Sequence, residues 1–260
     1  MFGRLTAFGY GAVCYALFLA TFLYAIGFLG NVWVPKSIDS GLEDPLTQAL
    51  LINAALLGLF AIQHSVMARQ WFKRIWTRVI PKPVERSTYV LFSSLALLFL
   101  FWQWQPIGGV IWQVHNPTGR AILYGLFALG WLTVLVSTFF IDHFDLFGMR
   151  QVYLYLRARE HTLTPFRTPG LYRFVRHPLY LGWLLVFWSA PRMTVAHLVF
   201  ALATTDYILV AIQFEERDLT NSYGDAYSKY RERVPMIIPL RFRNAAETTS
   251  ASQKANSVSQ

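Results

Sequence analysis

Four apolar stretches, 8–29, 47–68, 88–104 and 119–141, constrain this chain more than any other feature of it. A helix needs about 20 mostly apolar residues to cross a hydrocarbon core of about 30 Å, and each stretch meets or approaches that length. Between them lie Pro, Gly, Asn and clustered charge, which end helices. A fifth region, 178–214, is interrupted by Ser189-Ala190-Pro191-Arg192, so it reads as a tight helical hairpin whose first arm is short for a span. The first stretch is longer than the apolar core of a secretory signal, and no small-x-small cleavage site follows it, so it too reads as a span. The expected architecture is all-α: a polytopic membrane helix bundle of four spans plus a C-terminal helical hairpin and cytoplasmic helical segments.

Composition agrees with a chain whose main partner is the lipid bilayer. Of 260 residues 55% are hydrophobic and only 14% charged, too apolar for an ordinary water-exposed surface. The net charge of +9 would raise nucleic acid as a partner, but the basic residues fall between the apolar runs, which argues against it. Placing both termini in the cytoplasm puts the basic clusters 69–86, 150–176 and 217–254 on that side and leaves only Lys36, Arg120 and Arg192 on the other. A bacterial inner membrane is the expected location. The single cysteine, Cys14, lies within the first span, so the chain has neither an intramolecular disulfide nor a cysteine-based metal site. Residues 1–243 read as one domain. The tail 244–260, rich in Ser, Ala, Thr and Asn without apolar periodicity, reads as disordered. No glycine-rich loop of the dinucleotide or P-loop kind occurs.

Polar residues at the edges of the apolar runs carry the functional information. Pro178 suits the first turn of a helix, where its missing N–H costs nothing, and that turn presents free N–H groups beside Arg173, Arg176 and His177. Such a corner can hold a carboxylate, or its arginines can simply face lipid headgroups. At the far end of the hairpin come Glu215 and Glu216. Helical spacing puts Asp206, Gln213 and Arg217 near one face with Glu216 toward its edge and Glu215 roughly opposite, so the two glutamates should serve different neighbours. Asp206, deep in a span, should face protein or a water-filled cavity, because a charge there costs at least about 2.5 to 3.5 kcal/mol. Tyr223, Tyr227 and Tyr230 share one helical face, which could line an aromatic pocket for a cation or form an interfacial belt.

Three segments taken together resemble the C-terminal signature of the integral-membrane methyltransferases, the superfamily of isoprenylcysteine carboxyl methyltransferase and phospholipid N-methyltransferases. They are Arg176-His177-Pro178-Leu179-Tyr180-Leu181-Gly182, Glu215-Glu216-Arg217-Asp218-Leu219, and the run from Tyr223 to Pro235. Two earlier segments, 61–69 around Gln63-His64 and 141–151 beginning Ile141-Asp142-His143, extend the resemblance to the bacterial methanethiol S-methyltransferases, which make dimethyl sulfide. That resemblance implies S-adenosyl-L-methionine as methyl donor and a small thiol as acceptor. It places the cofactor in region 168–239, with Tyr172, Arg173, Arg176, His177, Pro178, Tyr180, Gly182, Glu215, Glu216, Tyr227 and Tyr230 as its binding residues. Arg176 and His177 are the candidates for the methionine carboxylate, and Glu215 or Glu216 for its ammonium.

A thiol reacts as thiolate, so a base or a positive field must lie near the acceptor. His64, Asp142 and His143 are the candidates for that catalytic role, weighed about equally with packed histidines bonded to neighbouring groups. Two alternatives stand beside this reading. One is methylation of an isoprenylcysteine carboxylate or a phospholipid amine. The other is a non-enzymatic membrane protein in which His64 and His143 ligate haem or a metal, although their separation matches no familiar ligand spacing.

Overall fold

The computed structural model describes residues 1–162 and 167–239; the tail expected to be disordered lies outside the described residues. The helices run in chain order as α1 (Phe2–Gly30), α2 (Leu46–Ala68), α3 (Gln70–Trp76), α4 (Glu85–Gln103), α5 (Pro117–Ile141), α6 (His143–Leu146), α7 (Met149–Leu156), α8 (Pro178–Trp188), α9 (Val195–Tyr223) and α10 (Asp225–Arg233). Among the described residues five helices are long and apolar enough to cross a membrane: α1, α2, α4 with the 3-10 turn that precedes it, α5 and α9. Large apolar side chains such as Val13, Ile62, Leu132 and Val210 lie exposed around the bundle, a surface suited to lipid. The interior is built on Phe28, Leu100, Phe101, Trp104, Trp131, Val186, Phe187 and Phe200.

One end of the bundle gathers the basic segments. Arg86 donates to the Leu146 carbonyl, Tyr10 bonds to Thr88, and Arg69 pairs with Asp218, so the start of α1 and α4, the end of α2 and α9, and the α6–α7 turn share that end. At the opposite end Asn53 exchanges two hydrogen bonds with the Gln105 backbone, at 2.8 and 2.9 Å. The same end carries two short strands that the periodicity did not suggest. β1 (Val110–Gln113) pairs antiparallel with β2 (Arg192–Thr194), in a register that shifts between Val110 and Trp112. The interruption at Ser189-Ala190-Pro191-Arg192 is therefore part of a ladder. Pro191 offers its carbonyl to Val114 N–H, and Ala190 offers its own to the Trp112 indole. Among the described residues the fold is all-α apart from that ladder.

Helix α8 has 11 residues, which at 1.5 Å per residue spans about 16 Å, half a bilayer. It holds its place through a close crossing with α5. A Cβ on Gly182 would lie 2.8 Å from the Gly130 carbonyl oxygen, and one on Gly130 would lie 2.9 Å from that of Gly182. Neither helix could approach so closely with a side chain at the crossing, and overpacking there would cost about 1 to 3 kcal/mol. Helix α9 continues for 29 residues, well past Glu215 and Glu216. Its inner stripe of Ala201, Ile208, Ile212 and Glu216 leaves Asp206 on the outer side. Asp206 is exposed, so of the two expected surroundings it does not have the protein-packed one.

Candidate functional site

A buried ionic knot joins the two arms of the hairpin at the basic end. The Arg176 Nε–H donates to Glu216 Oε1 at 2.8 Å, and His177 Nε2 lies 3.1 Å from the same oxygen. Arg176 also donates from Nη1 to the carbonyls of Arg231 and Val234, both at 2.8 Å. The backbone N–H groups of Arg176 and His177 bond to the Pro235 and Met236 carbonyls. The segment after α10 is thus fastened across the entrance to α8, and His177 and Glu216 are both buried. Glu215, one residue earlier on α9, turns elsewhere. Its half-exposed carboxylate accepts from the Tyr180 hydroxyl at 3.0 Å. The two glutamates differ in their hydrogen-bond partners, Tyr180 for Glu215 and Arg176 for Glu216, while His177 lies between them, 3.8 Å from Glu215 and 3.1 Å from Glu216.

Beside the knot lies a cavity of about 650 Å³. The end of α5 and the start of α6 supply one wall, Phe139, Phe140, Ile141, Asp142, His143 and Phe144. Arg167, Thr168, Pro169 and Tyr172 supply a second, and Arg176, His177 and Glu215 the floor. Leu219 and Tyr223 of α9 with Tyr227 and Tyr230 of α10 close it. Helix α10 can fold back because Gly224, at φ 54°, breaks it from α9. The tyrosines stay neutral: burial pushes Tyr172, Tyr227 and Tyr230 upward, Tyr230 to about 12, with the Arg176 guanidinium opposing the shift at Tyr227 and Tyr230 and glutamate charge adding to it. Tyr230 donates to the Tyr172 carbonyl at 2.6 Å and so ties α10 to the opposite wall.

Asp142 and His143 mark the transition from α5 to α6. Asp142 has φ 141°, a conformation that costs a residue with a Cβ some strain, and its side chain caps α6 at the Asp145 N–H. Arg150 bonds to Asp145 and reaches within 3.9 Å of Asp142, and His161 also bonds to Asp145, which ties this turn to the residues after α7. His143 is buried and stacked on Phe139. Thr138 gives its own proton to the Leu135 carbonyl, so it receives the His143 Nδ1–H at 2.8 Å. That assigns the Nδ1–H tautomer and leaves the Nε2 lone pair facing the Tyr15 hydroxyl at 2.8 Å. Burial holds this imidazole below its ordinary value, against the Asp142 charge that raises it.

The cavity brings together Asp142, His143, Tyr172, Arg176, His177, Glu215, Tyr227 and Tyr230 of the residues expected from sequence. The others lie elsewhere. His64 sits in α2, bonded to Tyr89 and Ser93. Pro178 and Gly182 are buried packing positions on α8, and Gly182 is occupied by its crossing with Gly130. Tyr180 and Glu216 act one step back from the cavity, on Glu215 and on Arg176. Arg173 lines a neighbouring, smaller pocket. Sequence reasoning missed the phenylalanines of α5 and α6, Arg167 and Leu219. Phe139 and Phe140 stand directly before the Ile141-Asp142-His143 segment, the one signal that pointed to them. Among the described residues no three His, Cys, Asp or Glu side chains converge to hold a metal ion, and His64 and His143 bond to different neighbours.

Fold and site together define an integral membrane protein whose polar cavity lies at the end of its bundle, walled by aromatic rings and carrying both carboxylate and guanidinium groups. No protein-family model matches the chain, and no solved structure matches it. Curated relatives do. The chain is 63% identical over 231 residues to a methanethiol S-methyltransferase of Crocosphaera subtropica, covering 89% of this chain and 91% of the relative. It is 55% identical over 235 residues to one from Mycobacterium tuberculosis, covering 90% and 96%. A more distant similarity, 30% over 228 residues and 79% of each chain, links it to Nurim of Xenopus laevis. The chain belongs to the methanethiol S-methyltransferase family.

Proposed function

We propose that the chain methylates methanethiol to dimethyl sulfide with S-adenosyl-L-methionine as donor, in the cavity between α5, α9 and α10. The observation that carries this reading is the composition of that cavity: a half-exposed carboxylate, Glu215, and two guanidinium groups, Arg167 and Arg176, set among aromatic walls. S-adenosyl-L-methionine has an ammonium, a carboxylate, a sulfonium and an adenine. Glu215 suits the ammonium. Arg167, which makes no side-chain bond among the described residues, suits the carboxylate, since Arg176 already spends its Nε and Nη1 donors within the knot. The rings of Tyr172, Tyr223, Tyr227 and Tyr230 suit a sulfonium and an adenine. About 650 Å³ lies within the ordinary range for sites that enclose a small organic molecule.

Bound there, S-adenosyl-L-methionine would supply an electrophilic methyl group for the acceptor sulfur, the electron pair of the methyl–sulfonium bond leaving with its own sulfur as a neutral thioether. The thiol proton must leave first. His143, held neutral by burial, is the cavity-lining imidazole suited to take that proton. Asp142 opposes the positive charge that then forms. The remaining task of the protein is to align donor and acceptor and to exclude water, and the phenylalanines of α5 and α6 supply an apolar wall for it. Both termini and the basic loops face the cytoplasm in this reading, in a bacterial inner membrane. Membranes containing the protein should release dimethyl sulfide from methanethiol and S-adenosyl-L-methionine, measured in the headspace. Methylation of a farnesylcysteine analogue or phosphatidylethanolamine with methanethiol left untouched would remove the substrate assignment.

A further inference from the structure

Next to the proposed cofactor cavity, sharing Thr168 and Tyr230 with it, is a second concavity of about 350 Å³ lined by Arg173, Lys229 and Arg233. Three cationic side chains converge on it, and no carboxylate is among its lining residues. Asp225 and Glu232, the acids of α10, do not line it. Among the described residues none of the three cations makes a side-chain hydrogen bond or an ion pair, whereas Arg176, three residues from Arg173, gives its Nε and Nη1 donors to the knot. Converging like charges repel one another, and an anion between them relieves that repulsion.

A second observation concerns depth. Arg173 lies five residues before Pro178, where α8 enters the apolar layer, so the pocket stands at the level of lipid headgroups. Two large apolar side chains close by in sequence, one next to Arg173 and one five residues after Arg233, are exposed. Phe174 is 66% exposed and Ile238 is 62% exposed, large hydrophobes that rest more favourably among acyl chains than in water. Cations gathered in a concavity, with an exposed aromatic and an exposed aliphatic beside them, match a ligand having an anionic head and an apolar tail.

We propose that this pocket binds the phosphate group of an anionic membrane phospholipid, with Arg173, Lys229 and Arg233 as its ligands and Phe174 and Ile238 against the acyl chains. Lipid-facing topology charges would scatter over the surface; these three share one pocket and accept one phosphate.

The test reads lipid retention directly and therefore does not depend on whether the larger cavity holds a methyl donor. The full chain is reconstituted in vesicles of phosphatidylcholine mixed with phosphatidylglycerol, extracted gently, and weighed by native mass spectrometry. Retention of phosphatidylglycerol over phosphatidylcholine is expected, falling about fivefold for each charge removed in Lys229→Gln and Arg233→Gln, the equivalent of about 1 kcal/mol per basic residue. The charge-conserving Lys229→Arg and Arg233→Lys should keep the preference, which separates loss of charge from loss of fold. Equal retention of the two lipids by the native chain, or an unchanged preference in the neutralised variants, would overturn the proposal. So would inorganic phosphate binding the detergent-solubilised protein while the lipid preference is absent, since that outcome assigns the pocket to a soluble anion.

Discussion

Two polar clusters, one centred on the half-buried His64 and one on the buried His143, occupy different parts of the molecule and differ in what surrounds them. His64 lies inside α2, bonded to Tyr89 and Ser93 and stacked on Phe60, closed in by α2 and α4. His143 lies just beyond α5. It is equally well bonded, to Tyr15 and Thr138, yet it forms part of the wall of a cavity that also holds Asp142 and Glu215. An ionisable residue within a span is rightly a functional candidate at first sight. The two histidines are alike in having hydrogen-bonded partners and differ in that His143 lines the cavity proposed for the substrate.

The largest effect that would sharpen this contrast lies beneath the cavity. Glu216→Ala leaves Arg176 and His177 buried without their partner, and breaking a buried pair in this way costs about 3 to 5 kcal/mol. Denaturant or thermal unfolding in detergent should show a loss of that order. A change under about 1 kcal/mol would mean that the segment after α10 is held by other means.

Next comes His143. Its replacement by Phe, which can keep the stacking on Phe139, should lower turnover about a hundredfold or more, the scale of a lost general base. Only the neutral ring accepts a proton, so the native rate should hold at neutral pH and fall as pH drops through a value below 6.5. Stability follows the same sign: the unfolded chain takes up the proton first, so stability declines as pH falls from 6.5 toward the lower folded value. A pH profile unchanged in His143→Phe would assign the proton transfer to another group. The smaller counterpart is His64→Ala. It should cost about 1 to 3 kcal/mol of stability, because Tyr89 and Ser93 lose a partner, yet leave turnover per folded molecule within about twofold. A collapse in turnover with stability intact would invert the comparison between the two histidines.

The spans were legible because apolar length is a one-dimensional signal, and four of them appear in the structure close to where composition put them. Asp206, Gln213 and Arg217 were correctly grouped on one face of α9, but which face turns inward depends on Ala201, Ile208 and Ile212 meeting the bundle, a packing fact. The β1–β2 ladder was missed because four residues against three carry too little pattern to stand out beside long apolar runs. Within the site, Arg176 and the glutamates stood out by charge at a membrane edge. Their division of labour emerged only in three dimensions, where Glu216 anchors Arg176 and Glu215 is left to the cavity. Gly182 illustrates the limit from the other side: it stands in the densest motif of the chain, yet its lack of a side chain serves the crossing with Gly130. Arg173, three residues before Arg176 and alike in charge, faces a different pocket.

The central claim is that the cavity carrying Glu215 binds the methyl donor. Calorimetric titration of the purified chain with S-adenosyl-L-methionine tests it most directly, comparing the native protein with Glu215→Gln. Saturable binding to the native chain is expected, weakened about tenfold to a hundredfold by the substitution, as for loss of a charge-assisted contact of about 1.5 to 3 kcal/mol. Absence of binding to the folded native chain, or equal affinity in the two proteins, would contradict the account.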